Sequence, residues 1–192
     1  MATFTLRELS GGVIKALHKT ASQLLLEHAY TQYTSLQDTY DIFMSHSYMD
    51  ADLISNIYYV LTNQFRYSVY IDWIDDPFLD RHEVTMETAS IIRDRMDRCS
   101  SLFYVRTENS EDSKWMPWEC GYFDGIKHRV AILPITESIT DDFTGQEYLS
   151  LYPYITKDLI KNTTNQSLWV NKSSNYYVSF EEWLKGKEPI RH

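Results

Sequence analysis

Four short apolar runs, the first three each followed by a segment of helical periodicity, constrain this chain more than any other feature. The runs are Tyr40 to Ser45, Ser68 to Trp73, Ser101 to Arg106 and Val130 to Ile135. Asp50 can cap the first helix, whose apolar positions are Leu53, Ile54, Ile57, Val60, Leu61 and Phe65. A second helix runs from Val84 to Arg98, and a third occupies Ser113 to Gly125. Strands alternating with helices require right-handed crossovers, so the runs form a parallel sheet covered on both faces. Tyr148 to Ile155 is the fifth strand, with Pro153 favouring an edge position. Ser167 to Val170 and Tyr176 to Phe180 form a hairpin before a short helix with Trp183 and Leu184.

The expected organisation is an N-terminal helical extension (1–38), a central α/β domain (39–160) and a C-terminal extension packed on it (161–192). Leu6, Leu9, Val13, Leu17, Ala21, Leu24 and Leu25 give the first segment its helical stripe, interrupted at Gly11-Gly12. The fold class is α/β, a flavodoxin-like parallel five-stranded sheet with helices on both faces. Ligands in such sheets sit at the carboxyl ends of the strands.

Charge and cysteine usage narrow the function. A net charge of −9 argues against nucleic acid or an anionic membrane as partner. The two cysteines, Cys99 and Cys120, form no metal or disulfide framework. The opening residues lack a secretory pattern, no apolar run spans a bilayer, and a cytoplasmic location is expected. The sequons at Asn162, Asn165 and Asn171 then arise by chance. Neither GxGxxG nor a Walker A sequence is present, so both usual phosphate cradles are excluded. A phosphoacceptor receiver would need acidic residues where this chain has Ser45-His46-Ser47 and Arg106-Thr107.

The helix at S-K-W-M-P-W-E-C-G-Y-F-D-G concentrates the chemistry. Trp115, Glu119 and Phe123 share one face at i, i+4 and i+8. Ser113 is placed to cap, Pro117 fits a first turn, and Gly125 supplies a stop. The spacing leaves one carboxylate beside an indole near a helix start, which either faces solvent or serves a site. Cys120 has no base to activate it and should pack.

The ordered motifs Y-D-I-F-M-S-H-S…D, Y-I-D-W with its proline-containing loop, and S-K-W-M-P-W-E resemble a bacterial TIR domain. They cover roughly Tyr40 to Ile135, and the longer W-M-P-W-E-C-G-Y-F-D-G form is most similar to TIR proteins of Thoeris-type antiphage systems. The resemblance implies cleavage of the nicotinamide–ribose bond of NAD⁺, with NAD⁺ as substrate and no separate cofactor or metal. Glu119 would be catalytic, stabilising positive charge on the ribose. Ser45, His46, Asp75 and Trp115 would bind the substrate. The expected product is an ADP-ribose-derived nucleotide, a cyclic isomer or conjugate, that activates a downstream effector. A phage-derived activator is a further implied partner. The loop 73–81, with Trp73, Ile74, Phe78 and Leu79, is expected to mediate self-association or to fold back on its own core. The rival reading is a non-catalytic adaptor, which has no need of Glu119 at this position.

Overall fold

The computed structural model describes residues 2–10, 39–76, 85–136 and 147–192. Among the described residues, nine strands form one sheet. They are β1 (Phe4–Thr5), β2 (Tyr40–Ser45), β3 (Val69–Tyr70), β4 (Cys99–Arg106), β5 (Val130–Thr136), β6 (Tyr154–Leu159), β7 (Gln166–Ser173), β8 (Tyr176–Ser179) and β9 (Ile190–Arg191). The helices are α1 (Leu6–Leu9), α2 (Ala51–Tyr59), α3 (Asp72–Asp75), α4 (Met86–Asp97), α5 (Trp115–Lys127) and α6 (Phe180–Leu184). The order β3-β2-β4-β5-β6 is parallel throughout, as the alternation requires, and β7, β8 and β9 extend it antiparallel.

Side-chain alternation along the central strands sorts the core into two layers. Ile42, Met44, Phe103 and Val105 face α2 and α6, packing with Ile54, Ile57, Leu61, Phe180 and Trp183. Phe43, Leu102, Tyr104 and Ile132 face α4 and α5, packing with Ile92, Met96, Met116, Cys120 and Phe123. Ser45 follows Phe43 by two residues, so it falls on the α5 face.

Several local expectations are corrected. The fifth strand begins at Tyr154, and Glu147–Leu151 is a 3-10 turn instead. The strand lies between β5 and β7, not at an edge, because Pro153 precedes it and contributes only its carbonyl, which accepts from the Ile132 N–H at 2.8 Å. The second strand ends at Tyr70, since the Asp75 carboxylate takes the Ile71 N–H at 2.8 Å and closes a helical turn. Gly125 lies inside α5, and the helix stops at His128, which adopts φ 52° and ψ 33°. Asp50 makes no capping bond.

At the N-terminus, the periodicity from residue 5 meets a strand and a single helical turn; residues 11–38 lie outside the described residues. β5 and β6 share one register pair, Ile132 with Tyr154, and β1 pairs with β5 beyond it, parallel through Phe4–Ile135 and Thr5–Thr136. Ala2 bridges antiparallel to Lys157 of β6 through bonds of 3.0 and 2.9 Å. The N-terminal strand thus fills the gap where two neighbours diverge. Phe4 and Leu9 join the α2-side core.

Candidate active site

The site is assembled where β2, β3 and β4 end, against the first turns of α5. Ser113 Oγ accepts the Met116 N–H at 3.3 Å, so the serine caps this helix as its position suggested. Pro117 falls in the first turn, where its missing N–H leaves no intrahelical acceptor unfilled. The face expected at i, i+4 and i+8 is buried: Trp115 retains 8% exposure, and Glu119 and Phe123 retain none.

Glu119 is held from the sheet. The Ser45 hydroxyl, itself fully buried, donates to Glu119 Oε2 at 2.5 Å. Burying a carboxylate without donors is costly, so this short charge-assisted bond fixes both its position and its orientation. Ser45 pairs in register with Tyr104 of β4. Tyr104 is hydrogen-bonded to Tyr148, and burial, followed by that bond, pushes its hydroxyl above the ordinary tyrosine range. It therefore stays a neutral phenol beside the carboxylate. Trp115 meets Trp118 edge to face at 5.5 Å, and Trp118 stacks on Tyr122.

His46 belongs to a second group at the same strand ends. Its Nδ1–H donates to the Met44 carbonyl at 2.8 Å, and its Nε2 accepts from the Trp73 indole N–H at 2.9 Å. Both contacts define one neutral tautomer. Asp72 Oδ1 lies 3.6 Å from the same Nε2. The loops are joined further by Asp50, whose carboxylate accepts from Thr107 Oγ1 and Asn109 Nδ2, each at 2.6 Å. Asp50 is therefore a strap between the loops after β2 and β4, not a helix cap.

Of the residues expected at the site, the structure brings Ser45 and Glu119 into contact and sets His46 and Trp115 at the neighbouring strand and helix ends. It does not bring Asp75 there. Asp75 accepts from the Tyr40 hydroxyl at 2.8 Å and from Ile71, and it lines a different cavity. Of the two expectations for the 73–81 loop, Trp73 and Ile74 follow the fold-back onto the core: Ile74 is in the core, and Trp73 packs against it and holds His46. Phe78 and Leu79 lie outside the described residues. Cys120 is buried, and burial pushes its thiol up to about 11, so it packs and does not act as a nucleophile. Sequence reading missed Trp73 and Asp50 as positioning residues; only the polar tip of the indole and the excess of capping side chains near Asp50 hinted at them.

Among the described residues no helix is long and apolar enough to cross a membrane. No protein-family model matches the chain. It is 46% identical over 193 aligned positions to a "Probable 3' cyclic ADP-D-ribose synthase ThsB'" from Bacillus cereus (strain MSX-D12), covering 96% of this chain and 99% of that protein. It is also 32% identical over 99 residues to a "Putative cyclic ADP-D-ribose synthase TIR2" from Cytobacillus dafuensis, covering 51% of this chain and 26% of that protein.

Proposed function

This chain belongs to the TIR-domain family of cyclic ADP-D-ribose synthases, and from that premise we propose that it cleaves the nicotinamide–ribose bond of NAD⁺ and releases a cyclic ADP-ribose isomer. The observation that carries the reading is the Ser45–Glu119 pair, a sheet-anchored carboxylate at the strand ends where ligands of such folds bind.

The nicotinamide of NAD⁺ is already cationic, so it leaves as a neutral base without a general acid. The C–N bond pair departs with nicotinamide, and positive charge develops on the ribose as an oxocarbenium ion. Glu119 stabilises that charge electrostatically, with its geometry set in advance by Ser45. Because the Glu119 side chain has no exposed surface, the groups enclosing it part when substrate enters. Trp115, at the mouth of this face, stacks on a ring of the substrate, and His46 lines the same end of the sheet. Capture of the ribose carbon by an atom of the substrate's own adenosine moiety closes the ring and releases a proton. The cyclic nucleotide is a diffusible signal to a separate effector in antiviral defence.

The test incubates the protein with NAD⁺, with and without lysate from phage-infected cells, and identifies products by mass spectrometry. Nicotinamide and an isomer lacking one water relative to ADP-ribose are expected. In Glu119→Gln the amide oxygen still accepts from Ser45, so the fold is retained while cleavage falls about a hundredfold or more. Undiminished turnover by the folded variant would remove Glu119 from the mechanism, and an adaptor would show no cleavage in either form.

A further inference from the structure

We infer that the protein carries a second small-molecule site, separate from the Ser45–Glu119 pair, which binds a mononucleotide between the end of α2, β3 and α3. This inference does not depend on NAD⁺ cleavage. The site is a half-open cavity of about 290 Å³ lined by Tyr40, Tyr58, Thr62, Arg66, Tyr67 and Asp75, among others. That volume is at the small end of ligand pockets, roughly 300–1,000 Å³, which suits a mononucleotide better than a dinucleotide.

A census of polar groups separates the committed from the uncommitted. The Tyr40 hydroxyl is spent on Asp75 at 2.8 Å, the Thr62 hydroxyl on the Tyr58 carbonyl at 2.7 Å, and Ser68 Oγ on Asp41 at 2.8 Å. Both Asp75 oxygens accept, one from Tyr40 and one from the Ile71 N–H. The hydroxyls of Tyr58 and Tyr67 and the guanidinium of Arg66 make no hydrogen bond or ion pair among the described residues. Burial, with Asp75 nearby, raises the Tyr58 hydroxyl, and burial pushes that of Tyr67 up to about 12, so both remain donors. Three unanswered donors on one cavity call for an acceptor-rich ligand. The rings of Tyr58 and Tyr67 pack on the core, so it is their hydroxyls that are left to donate to the ring nitrogens and oxygens of a nucleobase. Asp75 at the floor repels anionic charge, which leaves the phosphate to Arg66 at the rim and the base to the tyrosines.

The backbone is shaped to present these groups. After α2 the chain widens into a π-helical turn over Val60–Gln64, with the Phe65 N–H donating to the Val60 carbonyl at 3.2 Å. Such turns concentrate at functional sites. Arg66 then adopts φ 65°, a left-handed conformation uncommon outside glycine, and the Tyr67 N–H returns to the Leu61 carbonyl at 3.0 Å. Adjacent residues 66 and 67 are thereby both turned to the cavity.

The experiment measures equilibrium binding of AMP to the full chain by calorimetry, with adenosine, inorganic phosphate and ADP-ribose as comparison probes. Saturable one-site AMP binding is expected, with adenosine and phosphate each at least about tenfold weaker, since each lacks one half of the recognised ligand. Arg66→Gly removes the guanidinium while suiting the left-handed backbone, so it should fold normally yet weaken AMP at least tenfold; Tyr58→Phe should weaken it severalfold. NAD⁺ cleavage measured without AMP should be unchanged in Arg66→Gly. ADP-ribose, too large for a cavity of this volume, should bind more weakly than AMP, and equal binding would overturn the assignment to a mononucleotide. No saturable AMP binding, phosphate binding equal to AMP, or AMP affinity untouched by Arg66→Gly and Tyr58→Phe would each overturn the site.

Discussion

Ser45 and Glu119 lie 74 positions apart in the chain and meet in one 2.5 Å hydrogen bond, so the role of each depends on the other. If Ser45 holds the carboxylate and does not grip substrate, Ser45→Ala should lower kcat while leaving KM nearly unchanged. Loss of a hydrogen bond to a charged group is worth about 1.5–3 kcal/mol, which corresponds to roughly a ten- to hundredfold fall in rate. Steady-state kinetics decide the matter: a raised KM with kcat intact would make Ser45 a substrate contact. Stability should also fall, by about 1–3 kcal/mol in a denaturant titration, because a buried carboxylate loses a donor.

Elements are joined around the site by ion pairs and straps more than by their own propensities. Arg95 of α4 grips Asp76 beyond α3 with bonds of 2.7 and 2.8 Å, and the Tyr70 hydroxyl adds a third at 2.7 Å. Burial pulls the Asp76 carboxyl upward, but the bonds from Arg95 and Tyr70 outweigh it and hold the group below its ordinary value of 3.8. A carboxyl lowered by folding adds stability that is fully present above the unfolded value and is lost as pH falls through the folded one. The stability gap between the wild type and Asp76→Asn should therefore be constant above about pH 5 and close below about pH 4. The pair is partly exposed, so the gap should be about 1–2 kcal/mol. Urea titrations across this range provide the check, and a gap that widens on acidification would contradict the assignment. The Asp50 strap gives a second test at this scale. Asp50→Ala frees both Thr107 and Asn109 and should cost about 2–3 kcal/mol, more than loss of the cap that Asp50 does not form.

For the whole molecule, the N-terminal strand decides how the sheet is closed. Phe4 is fully buried, its ring carries the Lys157 ammonium at 4.8 Å, and the Lys157 side chain also pairs with Glu8. The segment joins β5 to β6, so it is part of the folding unit. Phe4→Ala should cost about 3–5 kcal/mol in chemical denaturation, the usual range for a buried phenylalanine. A change below 1 kcal/mol would mean that the strand only rests on the sheet.

Sequence alone determined the parallel order, the two-layer core and the helix that bears Glu119. These follow from the alternation of short apolar runs with segments of helical period, a pattern each stretch of chain carries locally. The capped start of α5 was legible in Ser113 and Pro117 for the same reason. Tertiary structure decided the rest. The partners of Asp50, Asp75 and Trp73 are long-range or loop contacts that no periodicity encodes, so a capping residue became a strap and an apolar loop residue became the support of His46. Pro153 stands next to an interior strand because β5 needed its carbonyl and not its nitrogen. The N-terminal strand was illegible because two residues are too short for any period, and its place exists only where β5 and β6 part.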